Sequence, residues 1–323
     1  MATEPSGEVP LLTPRLAAIA GLVVRRDEPL AKHCTFQIGG AVEWYLEVVN
    51  ATALASVLAL VGEHGTPFQI LGLGSNILFP DAGLPGIVAR LNGDFRRLEI
   101  AGTTVTAGAA LSLAQVARRT AQAGLVGLEA LSGFPSTVGG AVYMNAGCYG
   151  TEIRDVLASA ALLDPDGTGR RVTAEELDPG YRETNLQGTS TIVTEAVFEL
   201  AVGDSAAAAR RIDELNRRRW QSLPSGVANA GSIFKNPPGD HAGRLVDECA
   251  LKGRASGGAR ISPRHGNVIV NEGGAEASDV LALMLEMRSS VRERFGIELV
   301  PEVILAGQLA EIWRVDSVRD PPL

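Results

Sequence analysis

Ser132-Gly133-Phe134-Pro135-Ser136-Thr137-Val138-Gly139-Gly140-Ala141, followed shortly by Asn145-Ala146-Gly147-Cys148-Tyr149-Gly150, is the stretch that decides the reading of this chain. A further glycine loop, Gly72-Leu73-Gly74-Ser75-Asn76, stands upstream of it. Glycine has no Cβ, so several close together let backbone N–H groups turn inward and approach a ligand. Inward N–H groups suit phosphate oxygens, and three such loops suit a dinucleotide pyrophosphate.

The spacing excludes the commoner loops of this kind. A nicotinamide-binding turn needs a glycine three places after Gly74, where Ile77 stands, and Asp81 falls far short of the ~20-residue offset of a ribose-binding acid. A P-loop needs Gly-Lys, but none of Lys32, Lys235 and Lys252 follows a glycine. Gly-x-Ser-x-Gly, the nucleophile elbow, is also absent.

The 323 residues suggest about two domains, and a hydrophobic fraction of 46% supports substantial cores. The longest early apolar stretch, Leu16 to Val24, is too short to span a bilayer and no cleavage pattern follows it, so membrane insertion and export are not expected. Cys34, Cys148 and Cys249 are widely separated and include no Cys-x-x-Cys pair, which points to neither disulfides nor zinc and fits a reducing cytoplasm. A net charge of −8 argues against nonspecific nucleic-acid binding. Four scattered histidines suggest no metal cluster. Nothing in the sequence calls for an obligate protein partner.

The chain before about Lys32 reads as irregular, followed by a strand at Leu46-Glu47-Val48. Asn50 caps a helix over Ala51 to His64 that Gly65 stops, and Phe68 to Leu71 is a short apolar strand delivering the first glycine loop. Gly86 to Leu91, Leu98 to Ile100 and Thr103 to Ala107 read as strands, the last two a hairpin through Ala101-Gly102. A helix spans Ser112 to Ala123, and strands at Leu157 to Leu163 and Ile192 to Leu200 flank the turn Asp164-Pro165-Asp166-Gly167. Beyond a helix over Ser205 to Trp220 and the polar loop Ser222 to Asn229 come a strand at Ile233 to Lys235, a helix from His241 to Ala250, a strand at Asn267 to Val270, a long helix from Ser278 to Phe295 and a strand over Glu298 to Leu305. The fold class is α+β.

An ordered set of motifs resembles the UDP-N-acetylenolpyruvoylglucosamine reductase family, also called UDP-N-acetylmuramate dehydrogenase. Besides the three glycine loops they are Thr35-Phe36-Gln37-Ile38-Gly39-Gly40, Tyr181-Arg182, Gly231-Ser232-Ile233-Phe234-Lys235-Asn236-Pro237, Ala242-Gly243-Arg244-Leu245-Val246, Leu251-Lys252-Gly253, His265-Gly266-Asn267 with Val270-Asn271, and Pro301-Glu302-Val303. Each is weak alone, and the order makes them specific. The resemblance implies a flavoenzyme of peptidoglycan precursor synthesis. It would have an N-terminal segment (1–31), a two-lobed FAD domain of the vanillyl-alcohol-oxidase type (32–203, lobes about 32–91 and 92–203), an α+β substrate domain (204–307) and a C-terminal tail (308–323). NADPH would reduce noncovalent FAD, which would reduce UDP-N-acetylglucosamine enolpyruvate to UDP-N-acetylmuramate. Another flavin oxidase on the same fold, or a noncatalytic nucleotide-sugar binder, is the alternative.

Within that resemblance Gly72, Gly74, Ser75, Asn76, Pro135, Ser136, Gly139, Gly140, Asn145 and Gly147 are the expected cofactor ligands. Hydride delivered to C3 of the enolpyruvyl group leaves negative charge at C2 and the neighbouring carboxylate, so a cation and a proton donor are required. Arg182 matches the cation, although any one of 26 arginines is by default a surface residue. Ser232 matches the proton donor, although a serine after glycine is ordinarily a turn residue. Glu302 matches an acid that orients Ser232 or shares proton transfer, against the bland alternative of a solvated carboxylate. Arg217, Lys235 and Asn236 are candidate substrate ligands, with a solvated surface as the alternative for each.

Overall fold

The computed structural model describes residues 9–224 and 226–319, which alternate helix and strand throughout. The described residues open with α1 (Val9–Ala17) and β1 (Leu22–Pro29) rather than the irregular segment the sequence predicts, the part of that segment before residue 9 lying outside them. β1 is an edge strand carrying Arg25-Arg26-Asp27-Glu28, and an edge that faces water needs no apolar alternation to betray it. β2 (Ala41–Val48) runs through Asn50 into α2 (Ala51–His64); the Asn50 side-chain oxygen accepts the Ala53 N–H at 2.8 Å, and Gly65 ends the helix as expected. Next come β3 (Phe68–Ile70), β4 (Ile77–Leu78) and β5 (Leu84–Leu91), with β3 parallel to β5.

The expected hairpin forms from β6 (Leu98–Ala101) and β7 (Thr104–Gly108), Ala101 lying opposite Thr104, and α3 (Leu113–Gln122) follows. After β8 (Leu125–Val126) the second glycine loop winds into a short helix, α4 (Val138–Tyr143), and the third makes a small ribbon of β9 (Gly147–Cys148) and β10 (Thr151–Glu152). Between β11 (Leu157–Leu163) and β13 (Ile192–Glu199) lies β12 (Gly169–Thr173), whose only buried residue is Val172, so its sequence shows no strand pattern. β14 (Ala201–Val202) and α5 (Ser205–Ser222) complete this stretch.

The remainder runs β15 (Ala228–Asn229), α6 (Ala242–Glu248), β16 (Ala255–Ser256), β17 (Ala259–Ile261), β18 (Ile269–Asn271), α7 (Ala277–Phe295), β19 (Ile304–Leu305) and α8 (Gln308–Arg319). Two predicted strands shrink. Ile233 to Lys235 is reduced to a single bridge between Phe234 and Pro301, because both backbone groups of Phe234 bond to the side chain of buried Asn267 (3.0 and 2.7 Å). Glu298 to Leu305 keeps only β19, since Pro301 has no N–H to continue a ladder.

Contacts divide the chain into two compact units that interleave along the sequence. The first comprises the described residues up to Glu28 with Glu43–Gly72 and Pro85–Leu215. It holds the sheet β12-β11-β13-β7-β6 and most of the sheet β1-β2-β5-β3, around one core that includes Leu54, Val57, Leu113, Val116, Ala141 and Phe198. Each of these buried leucines, valines and the phenylalanine contributes about 1.5–3 kcal/mol. The second unit comprises Pro29–Val42, Leu73–Leu84 and the described residues from Asn216 onward. It contains the sheet β15-β18-β17-β16, and β19 pairs in parallel with β4, Ile304 opposite Ile77. Asp81 caps α7, its carboxylate oxygens accepting the Ala277 and Ser278 N–H groups at 2.7 and 3.2 Å. Among the described residues no helix is long and apolar enough to cross a membrane.

Candidate functional site

In the first unit the end of β3 meets the start of α4. Arg90 of β5 grips the Gly72 carbonyl through Nε and Nη2 at 2.9 and 2.8 Å, which fixes where the strand stops. Thr137 caps α4, its Oγ1 accepting the Gly140 N–H at 3.1 Å. A Cβ on Gly72 would stand 2.8 Å from that oxygen, and one on Gly140 3.2 Å. The Thr137 hydroxyl thus occupies the place that a side chain at 72 would take, a tight cradle in which only glycine lets strand end and cap approach this closely. The N–H groups of the loop behave differently from the simple expectation. Val138 and Gly139 donate to the Leu111 and Ala109 carbonyls at 2.8 and 2.9 Å, and the Ser136 hydroxyl donates to the Thr137 carbonyl at 2.9 Å. These two N–H groups of the loop are therefore committed within the protein. Pro135 and Ser136 lead directly into that cap.

The third loop is anchored by Asn145, 1% exposed and in the left-handed region at φ 39°. Both amide hydrogens are committed, to Gly180 O at 2.7 Å and Glu152 Oε2 at 3.1 Å, and Oδ1 accepts the Arg154 N–H at 3.0 Å. The Asn145 side chain therefore shapes the loop for a ligand rather than reaching one. Gly147, two residues on, presents its carbonyl to Arg182, whose Nη2 donates at 2.6 Å. Glu152 lies 3.6 Å from Arg182 Nη1, and the guanidinium stacks over Tyr181 at 4.9 Å. Arg182 itself sits at φ 58°, a conformation that costs an arginine on the order of 1–3 kcal/mol and that collects at functional sites. The unit thus joins Asn145, Gly147, Glu152 and Arg182 into one hydrogen-bonded, ion-paired corner.

The second unit gathers the first glycine loop with Ser232 and Glu302. Gly74 has φ 64°, and a Cβ there would strike the His33 carbonyl and lie 2.7 Å from Cys34 Cα, so only glycine fits. The Thr35 N–H donates to the Gly74 carbonyl at 2.9 Å. Past Ser75, the Asn76 amide donates to the Glu302 carbonyl at 3.0 Å, and the Asn76 carbonyl accepts the Ile304 N–H at 3.1 Å. The Glu302 N–H in turn donates to the carbonyl of Ile233, directly after Ser232, at 2.8 Å. Ser232 and Glu302 are both half-buried. Lys235 continues this strip, its N–H bonded to Val300 O at 2.8 Å, while exposed Asn236 turns its Oδ1 back to the Ala242 N–H at 3.1 Å and supports the start of α6. Just before that helix, Arg244 and the His241 N–H hold the Asp240 carboxyl down to about 2. Arg217 is exposed on α5.

Residues 42–173 match the family model described as an FAD binding domain, and residues 223–306 match that of the C-terminal domain of UDP-N-acetylenolpyruvoylglucosamine reductase. A UDP-N-acetylenolpyruvoylglucosamine reductase of Symbiobacterium thermophilum is 44% identical over 284 residues, 88% of this chain and 92% of its own. One from Halalkalibacterium halodurans is 38% identical over 285 residues, 88% of this chain and 95% of its own. The crystal structure of UDP-N-acetylenolpyruvylglucosamine reductase from Thermus caldophilus is similar with a TM-score of 0.77 at 37% identity, covering 88% of this chain and all of that one. The chain belongs to the UDP-N-acetylenolpyruvoylglucosamine reductase family.

Gly72, the Thr137 cap and the third loop all fall inside the residues that match the FAD-binding model. The sequence singles out the glycines of this cradle but passes over Thr137 and Arg90. Thr137 carried a readable signal, a hydroxyl residue before a helix start. Arg90 carried one too, a charge inside the apolar strand Ile87 to Leu91. In the second unit, burial first and then Lys252 and Arg219 push the His265 imidazole below its ordinary value, and Nδ1 accepts the Asn267 N–H at 3.2 Å. His265 is thus a neutral acceptor beside the residue that pins Phe234.

Proposed function

We propose that this chain reduces the enolpyruvyl ether of UDP-N-acetylglucosamine enolpyruvate to UDP-N-acetylmuramate with electrons from NADPH, as a cytoplasmic step of peptidoglycan precursor synthesis. The family match supports the reaction, and the hydrogen bond that brings Glu302 against the Ser232 segment is the observation that best supports the assignment of roles. FAD, when bound, relays hydride from NADPH to C3 of the enolpyruvyl group. Addition at C3 leaves an electron pair at C2 that must receive a proton, and Ser232 is the donor. A serine hydroxyl is a poor acid unless its environment stabilises the alkoxide, and Glu302, held close through its own backbone, orients the hydroxyl and passes on the proton that restores it. Arg182 carries the charge that balances the developing enolate and carboxylate. Its side chain enters the reaction already fixed by Gly147 and Glu152, so little reorganisation accompanies charge development. Lys235, Asn236 and Arg217 serve the anionic groups of the nucleotide sugar. Gly72, Gly74, Ser75, Asn76, Pro135, Ser136, Gly139, Gly140, Asn145 and Gly147 shape the FAD loops.

The visible spectrum of the purified protein under anaerobic conditions tests this. Flavin bands should bleach with one equivalent of NADPH and return only with UDP-N-acetylglucosamine enolpyruvate. Bleached flavin that ignores this substrate but recovers with oxygen would mark an oxidase, and no flavin bands after added FAD would remove the enzyme assignment. Ser232→Ala should keep bleaching by NADPH and slow reoxidation by roughly 10²- to 10⁴-fold.

A further inference from the structure

α8 takes no part in the chemistry above and lies beyond residue 306, where the match to the family's C-terminal domain ends. Its half-buried Trp313 nevertheless sits against the ring of Phe234, centroids 6.0 Å apart and planes at 44°. On α7, Arg288 covers the indole, its guanidinium carbon 4.4 Å from the ring centroid. The Arg288 side chain is 7% exposed and its Nε is 3.7 Å from Glu298. Phe234 is fully buried, two residues after Ser232 and one before Lys235.

The backbone around Phe234 has a single bridge, to Pro301, and takes its remaining bonds from Asn267, Val300, Glu302 and Val303. These bonds all fall on residues 233–235, and the chain bends at Ile233, between Ser232 and Phe234. The buried Phe234 ring adds a side-chain anchor beside that bend, and Trp313 beneath a buried cation is what the ring rests on.

Accepting Ser232 as proton donor, we propose that α8 is a positioning clamp, in which Trp313 seats Phe234 and thereby aims the Ser232–Asn236 segment at the reacting carbon. Trp313 is a positioning residue acting through Phe234. Displacing a reacting group by about an ångström costs up to roughly 100-fold in rate, so loss of the clamp should appear in one half-reaction.

The test is stopped-flow measurement of both half-reactions on the full FAD-loaded chain. Trp313→Leu keeps apolar bulk without the indole face. It should leave flavin reduction by NADPH unchanged and slow reoxidation by UDP-N-acetylglucosamine enolpyruvate roughly 10- to 100-fold. Trp313→Phe should recover most of the loss. Arg288→Gln, which removes the cation and leaves the indole in place, should show the same selective slowing and serves if the leucine variant does not fold. Adding Trp313→Leu to Ser232→Ala should cost clearly less than Trp313→Leu costs in the parent, because the main group being aimed is already gone. Parent-like reoxidation in Trp313→Leu, equal slowing of both half-reactions, or additive losses in the double variant would each overturn the clamp. Ser232→Ala alone, if it reoxidises at the parent rate, overturns the proton-donor assignment instead, so the two failures are read from different proteins.

Discussion

Replacing Asn145 asks whether the third glycine loop is held by one buried amide. In Asn145→Ala the Gly180 carbonyl loses its 2.7 Å donor but keeps the Glu183 N–H at 3.3 Å, so the cost is that of one net hydrogen bond, about 0.5–1.5 kcal/mol. The Arg154 N–H loses its acceptor too, but Arg154 is exposed, so water replaces the bond and the net cost there is about 0.5–1.5 kcal/mol. Glu152 keeps the Arg154 guanidinium at 2.9 Å and needs no replacement. Alanine must also hold φ 39°, which adds on the order of 1 kcal/mol. Together these come to about 2–4 kcal/mol out of a total stability on the order of 5–15 kcal/mol. At roughly 2–4 °C per kcal/mol for a unit of this size, the apparent Tm should fall by about 10 °C. Asn145→Gly loses the same bonds without the backbone cost and should lie about 1 kcal/mol above the alanine variant. Thermal unfolding followed by circular dichroism, with FAD per chain measured on the same samples, gives both numbers. A fall in Tm of less than about 2 °C for Asn145→Ala would refute the scaffold role, since even the smallest loss in this ledger exceeds it.

Gly74→Ala should yield protein with less FAD per chain than the parent, because its Cβ meets the backbone of His33 and Cys34; a fully loaded variant with the parent Tm would show that the loop has room. Arg182→Lys keeps the charge but loses the two-armed hold between Gly147 and Glu152, and should slow substrate-dependent reoxidation roughly 10²-fold, whereas unchanged turnover and substrate affinity would count against Arg182. His265 is depressed in the folded state, so its stabilising effect is complete above its unfolded pKa of about 6.5 and is lost as pH falls below that value. His265→Gln should therefore flatten the fall of Tm between neutral pH and pH 5, and identical Tm profiles for the two proteins would remove His265 as the cause.

The sequence was most legible where structure is decided locally. Asn50 and Gly65 bound α2 as residues two turns away could not, and Ala101-Gly102 needs only its own geometry to make a hairpin. Edge strands were hidden for the opposite reason: β1 and β12 bury too few side chains to write a pattern, and what makes them strands is a neighbour distant in sequence. The Ile233 to Lys235 segment looked like a strand because it is apolar, but one asparagine amide occupies the place of a partner strand there. In the site, the glycines were visible because a missing Cβ has few other uses at such density. The scaffold role of Asn145 was not, because it rests on Gly180 and Arg154, contacts no spacing rule reports.

The parallel pairing of β4 with β19 has a consequence for synthesis. Ile77 waits for Ile304, 227 residues later, and at translation rates of about 5–20 residues per second that partner emerges on the order of 10 to 45 s afterwards. Until then the chain just past Gly74-Ser75-Asn76 has no strand beside it, and Asn76 has neither of its partners near position 300. A nascent chain can therefore complete the hydrophobic core of its first unit well before one of its cofactor loops takes shape. Ribosomes stalled short of residue 304 should carry chains whose β11–β13 region resists protease while the segment around residue 76 is still cut.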